Sequence, residues 1–158
     1  MLIESIQPHH DAQMADIVRT VLASFGATGP GYACADPQVD YLSQFYQGDD
    51  RHYWVVVEQG KVLGGGGIGP LPGYESTCEL QKMYMLPEGR GRGLGQALMD
   101  KCLEFARSRY QYCYLETLTQ MDAAQKMYRR NQFKLLDKPL GATGHNRCDV
   151  WFLKDLRA

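Results

Sequence analysis

The chain has 158 residues, 44% of them hydrophobic and 22% charged, and 17 Lys and Arg nearly balance 18 Asp and Glu, for a formal net charge of -1. That length suits one domain able to bury its own core, and the near-zero charge gives no reason to expect nucleic acid or an anionic membrane as partner. No apolar run approaches the roughly 18 residues of a membrane-spanning helix, and the 5 cysteines include no C-x-x-C, which argues against a disulfide framework or a zinc site.

Met1 to Ile6 lacks a basic segment followed by an apolar stretch, so no signal peptide is expected and the cytoplasm is the default location. Leu2 to Ile6 predicts a short strand. Asp11 to Phe25 predicts a helix, because Met14, Ile17, Val18, Val21, Leu22 and Phe25 recur at steps of three and four. Asp11 is its expected N-cap and Gly26 its stop. Gly26 to Pro37 is rich in Gly and Pro and predicts a loop; Val39 to Tyr46 predicts a short second helix. Tyr53 to Glu58, Gln59-Gly60 and Lys61 to Leu63 read as a hairpin. A turn is expected at Gly69 to Gly73, then a strand at Thr77 to Met85. Gly93 to Arg109 predicts a long helix with the apolar stripe Leu94, Ala97, Leu98, Cys102, Phe105 and Ala106. Tyr112 to Thr117 is the next strand. Thr119-Gln120-Met121-Asp122 has the capping-box pattern and opens a helix to about Asn131. Phe133 to Leu136 and Cys148 to Leu153 close the series as strands. The order β-α-α-β-β-β-α-β-α-β-β points to a mixed α/β fold, one sheet with helices packed on it. Strands linked by the Gly93 and Thr119 helices are expected to run parallel, the hairpin strands antiparallel. Nothing splits the chain, so residues 1–158 read as a single domain.

The stretch that carries chemistry runs from Glu79 to Gly95: a strand, a turn, an Arg/Gly-rich loop, then directly a long helix. At a helix start the backbone N–H groups are unpaired and the dipole adds partial positive charge. Gly91, Gly93 and Gly95 let a phosphate approach the main chain, and Arg90 and Arg92 add full charges. The alternative is a plain solvated turn before a helix. Other nucleotide loops fit less well. No Gly-Lys-Ser/Thr occurs. Gly64, Gly66 and Gly69 form a G-x-G-x-x-G, but Pro70 and Pro72 follow it, so no helix opens there and the dinucleotide mechanism fails. A bulged or splayed strand end suits these glycines better.

Arg90-x-x-Gly93-x-Gly95 resembles the Q/R-x-x-G-x-G/A signature of the GNAT superfamily of acyl-CoA-dependent N-acyltransferases. Leu80 to Met85 resembles that family's fourth strand, Leu86-Pro87 its exit, and Ala124-x-x-x-Tyr128-x-x-x-x-Phe133 its second signature. Two positions depart from the pattern: Met121 stands where the family often has Asn, and Gln132 where it often has Gly. The resemblance implies a single mixed, largely antiparallel sheet with helices on both faces.

It also implies roles. Arg90, Gly91, Arg92, Gly93, Leu94 and Gly95 would hold the pyrophosphate of acetyl-CoA. The main chain of Met83, Tyr84 and Met85 would pair with the pantetheine arm, and the Met83 N–H would face the thioester oxygen and stabilise the developing oxyanion. Ala124 would line the cofactor. Glu79 is the implied base for the protonated acceptor amine; the alternative is a solvated strand-end carboxylate. Tyr128 is placed to reach the departing coenzyme A sulfur; the alternative is a helix Tyr packed on the sheet. Lys126, Arg129 and Arg130 either help hold the 3′-phosphate or form a solvated helix face. His145, beside Arg147, lies in a loop that would border the acceptor. The histidines show no metal spacing, so no metal is expected. Cys78 is the one thiol worth checking for reactivity.

The implied activity is transfer of an acetyl group from acetyl-CoA to a primary amine of a small molecule or amino-acid-like acceptor by direct attack. Acetylation of a protein or peptide amine is an alternative. A coenzyme A-binding sensor without catalysis is a second, and a dinucleotide-dependent enzyme a third. A homodimer is compatible with the family, though no segment marks an interface.

Overall fold

The computed structural model describes residues 2–157. Seven strands form one sheet in the order β1-β2-β3-β4-β5-β7-β6. In chain order the elements are β1 (Leu2–Ser5), α1 (Asp11–Ser24), α2 (Leu42–Phe45), β2 (His52–Glu58), β3 (Lys61–Leu71), β4 (Tyr74–Met85), α3 (Leu94–Arg107), β5 (Tyr112–Thr117), α4 (Asp122–Arg130), β6 (Lys134–Leu136) and β7 (Val150–Asp155). The pairs are antiparallel except β4 with β5, which α3 connects. The α4 crossover carries β6 past β7, so β5 and β6 share a direction without touching. The sheet is mixed and largely antiparallel, as expected.

Strand alternation divides the core between two faces. Tyr53 and Val55 of β2 join Met14, Val18 and Leu22 of α1 on one face. Trp54 and Val56 join Leu98, Cys102 and Ala106 of α3 on the other, with Tyr128 of α4. The β2–β3 turn falls on Gln59 and Gly60, both at positive φ, the backbone that a two-residue hairpin of the right twist needs.

Four local expectations are corrected. The strand begun at Lys61 does not stop at Leu63 but continues through Gly64–Gly67 to Leu71, and the turn expected over Gly69–Gly73 is confined to Pro72 and Gly73. The glycines make room rather than end the strand. A Cβ at Gly67 would lie 2.5 Å from Tyr53 Cδ2 and 2.6 Å from the His52 carbonyl oxygen. Gly67→Ala should therefore lower stability by about 2 kcal/mol, read as a fall in the urea midpoint at unchanged slope. Asp11 is the first residue of α1 rather than its cap; its carboxylate accepts from the Ser43 N–H (2.9 Å) and hydroxyl (2.6 Å), tying α1 to α2. Thr119 does not cap α4, because Asp149 accepts both its N–H and its hydroxyl at 2.9 Å. Helix α4 starts later, with Met121 in the cap position. The second helix is only α2, preceded by a 3-10 segment at Pro37–Tyr41.

The five cysteines are free thiols. Cys78 is fully buried with its sulfur toward the Tyr112 carbonyl, so it is a core residue without access for reagents. Among the described residues no helix is long and apolar enough to cross a membrane.

Candidate active site

Two breaks in the regular sheet build the site. The first is in β4. The β3–β4 register slips between Gly65 and Gly67, so Lys82 and Met83 together oppose Gly66, and Lys82 takes φ +48. This is a β-bulge, which bends the strand and raises its twist. The second is between β4 and β5. They pair only at Thr77–Tyr112, Cys78–Cys113 and Glu79–Tyr114. Beyond Glu79 the strands part, and residues 80–85 have no strand partner on that side. A cleft of about 400 Å³ occupies the opening, lined by Glu79 to Met85 from one strand, Leu115 to Thr117 from the other, the start of α3, and α4.

At one end of the cleft lies the Arg/Gly loop. Gly93 caps α3 with φ +78, and the first bond of the helix runs from the Ala97 N–H to the Gly93 carbonyl (3.1 Å). The N–H groups of Leu94, Gly95 and Gln96 precede it and have no partner within the helix. A Cβ at Gly91 or Gly93 would meet nothing within 4 Å among the described residues, and both glycines line the cleft. Arg90, Gly91, Gly93, Leu94 and Gly95 line the cleft, as do Met83, Tyr84, Met85 and Ala124. Arg90 is anchored by its Nε donating to the Met85 carbonyl (3.0 Å). Arg92 is placed differently from its expected role. Its guanidinium pairs with Glu58 and donates to the Glu88 carbonyl (3.2 Å), and its side chain is not part of the cleft wall. Of the helix α4 cations only Arg130 lines the cleft; Arg129 stacks over the Phe152 ring. Reciprocal hydrogen bonds between Gln96 and Asn131 hold α3 to α4.

Where the strands part stands Glu79. It is only 4% exposed, well inside β4, which corrects the picture of a solvated strand end. Gln81 Nε2 donates to one carboxylate oxygen (2.8 Å) and is itself oriented by the Tyr46 hydroxyl (2.6 Å). The other oxygen has no hydrogen-bond partner among the described residues and is not sealed from the cleft. Burial pushes the carboxyl up to about 7, against the pull of Gln81 and His145, with Glu116 adding to the rise. Tyr128 is buried on α4, in edge contact with Phe133, and its hydroxyl has no hydrogen-bond partner among the described residues and opens on the cleft. Burial raises its pKa well above the ordinary value. It therefore suits a hydrogen-bond donor to a thiolate better than a full proton donor.

Sequence spacing missed a buried charge chain beside Glu79. Lys82 Nζ pairs with Asp36 (2.6 Å), and Asp36 with His145 Nε2 (2.8 Å). His145 Nδ1 faces Glu116 at 3.7 Å. Glu116 accepts from the hydroxyls of Tyr114 and Thr143, both at 2.6 Å. Burial raises the Asp36 carboxyl, but the His145 hydrogen bond and the Lys82 charge outweigh it and leave it below its ordinary value. The available signal was a lysine and a glutamate standing inside otherwise apolar strands. Among the described residues two groups bring ligand atoms within 4.8 Å of one another and could hold a metal ion, Glu79–Glu116–His145 in the cleft and Glu4–His9–His10 elsewhere. Linear spacing of the histidines gave no sign of either.

The family profile described as Acetyltransferase (GNAT) family matches residues 19–133. The chain belongs to the GNAT acetyltransferase family. It is 45% identical over 146 residues to the uncharacterized N-acetyltransferase YjgM of Escherichia coli (strain K12), covering 90% of this chain and 87% of that one. Its fold is shared with an acetyltransferase of the GNAT family from Staphylococcus aureus Mu50 (TM-score 0.85, 16% identity, 98% of both chains). It is shared too with yncA of Salmonella typhimurium, a structure with its cofactor acetyl-CoA (TM-score 0.76, 19% identity, 99% of this chain and 94% of that one). The enzyme class follows: an acyl-CoA-dependent N-acetyltransferase. The departures from the family's second signature now have a physical reading. Gln132 takes φ +69 at the end of α4, a left-handed turn closed by the Phe133 N–H on the Tyr128 carbonyl. A residue other than Gly there costs roughly 1 kcal/mol. Met121 lines the cleft and accepts the Thr117 hydroxyl on its sulfur.

Proposed function

We propose that this GNAT enzyme acetylates the primary amine of a small molecule or amino-acid-like acceptor by direct attack on acetyl-CoA, with Glu79 as base. The observation that carries this reading is the Glu79 carboxylate, buried, raised to about 7, and holding one unpartnered oxygen where the strands separate. The open turn at Gly91–Gly95 fits a pyrophosphate, and the unpaired stretch of β4 fits the amide-bearing pantetheine arm. An alkyl ammonium that gives a proton to Glu79 becomes a nucleophile. Holding it beside the thioester supplies much of the rate gain as effective concentration. Attack by nitrogen displaces the coenzyme A thiolate, toward which the Tyr128 hydroxyl donates. The second nitrogen proton leaves with the thiolate, so products are amide, free thiol and one proton. Main-chain N–H groups of the bulged strand around Met83 would stabilise the oxyanion.

The test is a thermal shift with acetyl-CoA, coenzyme A, ATP and NAD, then release of free thiol from acetyl-CoA across small amines, amino acids and a lysine peptide. Stabilisation by acetyl-CoA and turnover with small amines are expected. Stabilisation without turnover on any acceptor indicates a sensor, and turnover confined to the peptide indicates a protein acetylase. Stabilisation by NAD alone overturns the assignment. Tyr128→Phe should lower kcat about 10- to 100-fold, the worth of a hydrogen bond to a charged atom. Acetyl-CoA affinity and melting temperature should stay unchanged, because the lost hydroxyl has no partner among the described residues.

A further inference from the structure

Glu79 has to give up the proton it takes. After each transfer it is a neutral acid, only 4% exposed. The groups that face it differ in what they can do. Gln81, on the same strand, is an amide that already donates to it. Lys82 is spent on Asp36. Glu116, from β5, has an oxygen filled by each of two hydroxyls. His145, from the loop before β7, is different. Its Nε2 is held by both oxygens of Asp36 at 2.9 and 2.8 Å, which fixes the ring, and Nδ1 stands 3.7 Å from Glu116, beyond hydrogen-bond range. One donor atom each of Glu79, Glu116 and His145 lies within 4.8 Å of the others, a span that one water bridges.

We propose that His145, positioned by Asp36, is the relay through which Glu79 returns the acceptor's proton to solvent. The inference rests on Glu79 serving as the base. In the first step an N–H bond of the acceptor ammonium breaks and the Glu79 O–H forms. In the second that O–H breaks and an N–H forms on neutral His145, giving imidazolium and restoring the carboxylate. In the third the imidazolium, whose side chain is 13% exposed, loses the proton to bulk water. No oxidation or reduction occurs. The charges around the ring suit the task. Burial lowers the His145 pKa, but Asp36 and then Glu79 outweigh it, while Lys82 opposes, and the net shift is upward from 6.5. The ring thus takes up a proton more readily than a free imidazole does, while the Glu79 carboxyl beside it holds its own up to about 7. The same arrangement joins the two loops that flank the acceptor side, one carrying Asp36 and the other His145.

H145Q keeps an amide able to hold Asp36 but cannot carry a proton. With EDTA present and both substrates saturating, its kcat should fall about 10- to 100-fold, with KM for acetyl-CoA unchanged. Added imidazole near pH 7.5 should restore much of the rate, and should leave wild-type kcat alone. A purely structural role would not give buffer rescue. Full turnover in H145Q, or a loss that imidazole does not restore, overturns the relay while leaving the transferase intact. A wild-type protein that acetylates no amine overturns the transferase reading instead. A second measurement needs no turnover and no H145 variant: the pH titration of the His145 ring by NMR in wild type and in E79Q. A shifted titration midpoint in E79Q supports proton sharing between the two groups; identical curves overturn it.

Discussion

Replacing Glu79 by glutamine is expected to cut turnover with an amine acceptor at pH 7 by about 10²- to 10⁴-fold, the usual worth of a positioned base. Acetyl-CoA binding should survive, because the turn before α3 and the bulged strand proposed to hold it are untouched. The pH dependence is the sharper readout. The wild-type kcat/KM should rise through a limb near pH 7, where the carboxyl ionises, and E79Q should lack that limb. Stability should move the other way. The folded pKa of about 7 stands above the ordinary value of 4.5, so the folded state binds the extra proton between these values. Ionising Glu79 in its buried place therefore destabilises the fold progressively from about pH 4.5, and in full above pH 7. The difference corresponds to about 3 kcal/mol. E79Q should accordingly be more stable than wild type at pH 8, by up to that amount, and no more stable at pH 4. Equal melting temperatures at pH 8, together with unchanged turnover, would remove Glu79 from the mechanism.

The second large effect belongs to Lys82. Its side chain is 2% exposed and its ammonium lies 2.6 Å from Asp36. Lys82→Met preserves much of the packed stem but leaves Asp36 to His145 alone. Breaking one member of a buried pair costs about 3–5 kcal/mol, to be measured from the urea midpoint. The acid limb should shift as well. In wild type the Asp36 carboxyl is held below 3.8, so its contribution to stability is present at higher pH and is lost as pH falls through that lowered value. Without Lys82 the carboxyl should titrate higher, and acid unfolding should begin at a higher pH. A variant with wild-type urea and acid midpoints would show that the pair is energetically neutral.

Element order, the two long helices and the Gln59-Gly60 hairpin were legible in the sequence because each has its own period or turn chemistry. The turn before α3 was legible for the same reason: Gly91 and Gly93 take positive φ there. What local pattern could not reveal were interactions made at a distance. Thr119 has a capping-box sequence, yet Asp149 takes its donors. Gly64–Gly67 carry no side chains, so no alternation announced that β3 runs through them. Arg92 has the right place in the loop, but Glu58 at the end of β2 draws its charge aside. Glu79 lay in the right strand, while its burial depends on Gln81, Tyr46 and the loop carrying His145. Asp36, Lys82, Glu116 and His145 come from separate segments, and only the folded chain brings them together.

The parting of β4 from β5 solves a problem of self-association. Bare peptide groups ready to pair are usually found at the margin of a sheet, where a foreign polypeptide can add itself and seed aggregates. Here the margins are β1 and β6, only 4 and 3 residues long. The pairing surface that matters is set between two interior strands. On the proposed reading, a slender unbranched chain bearing two amides lies along it. The unfinished ladder thus stays inside the sheet, away from neighbours in a crowded solution.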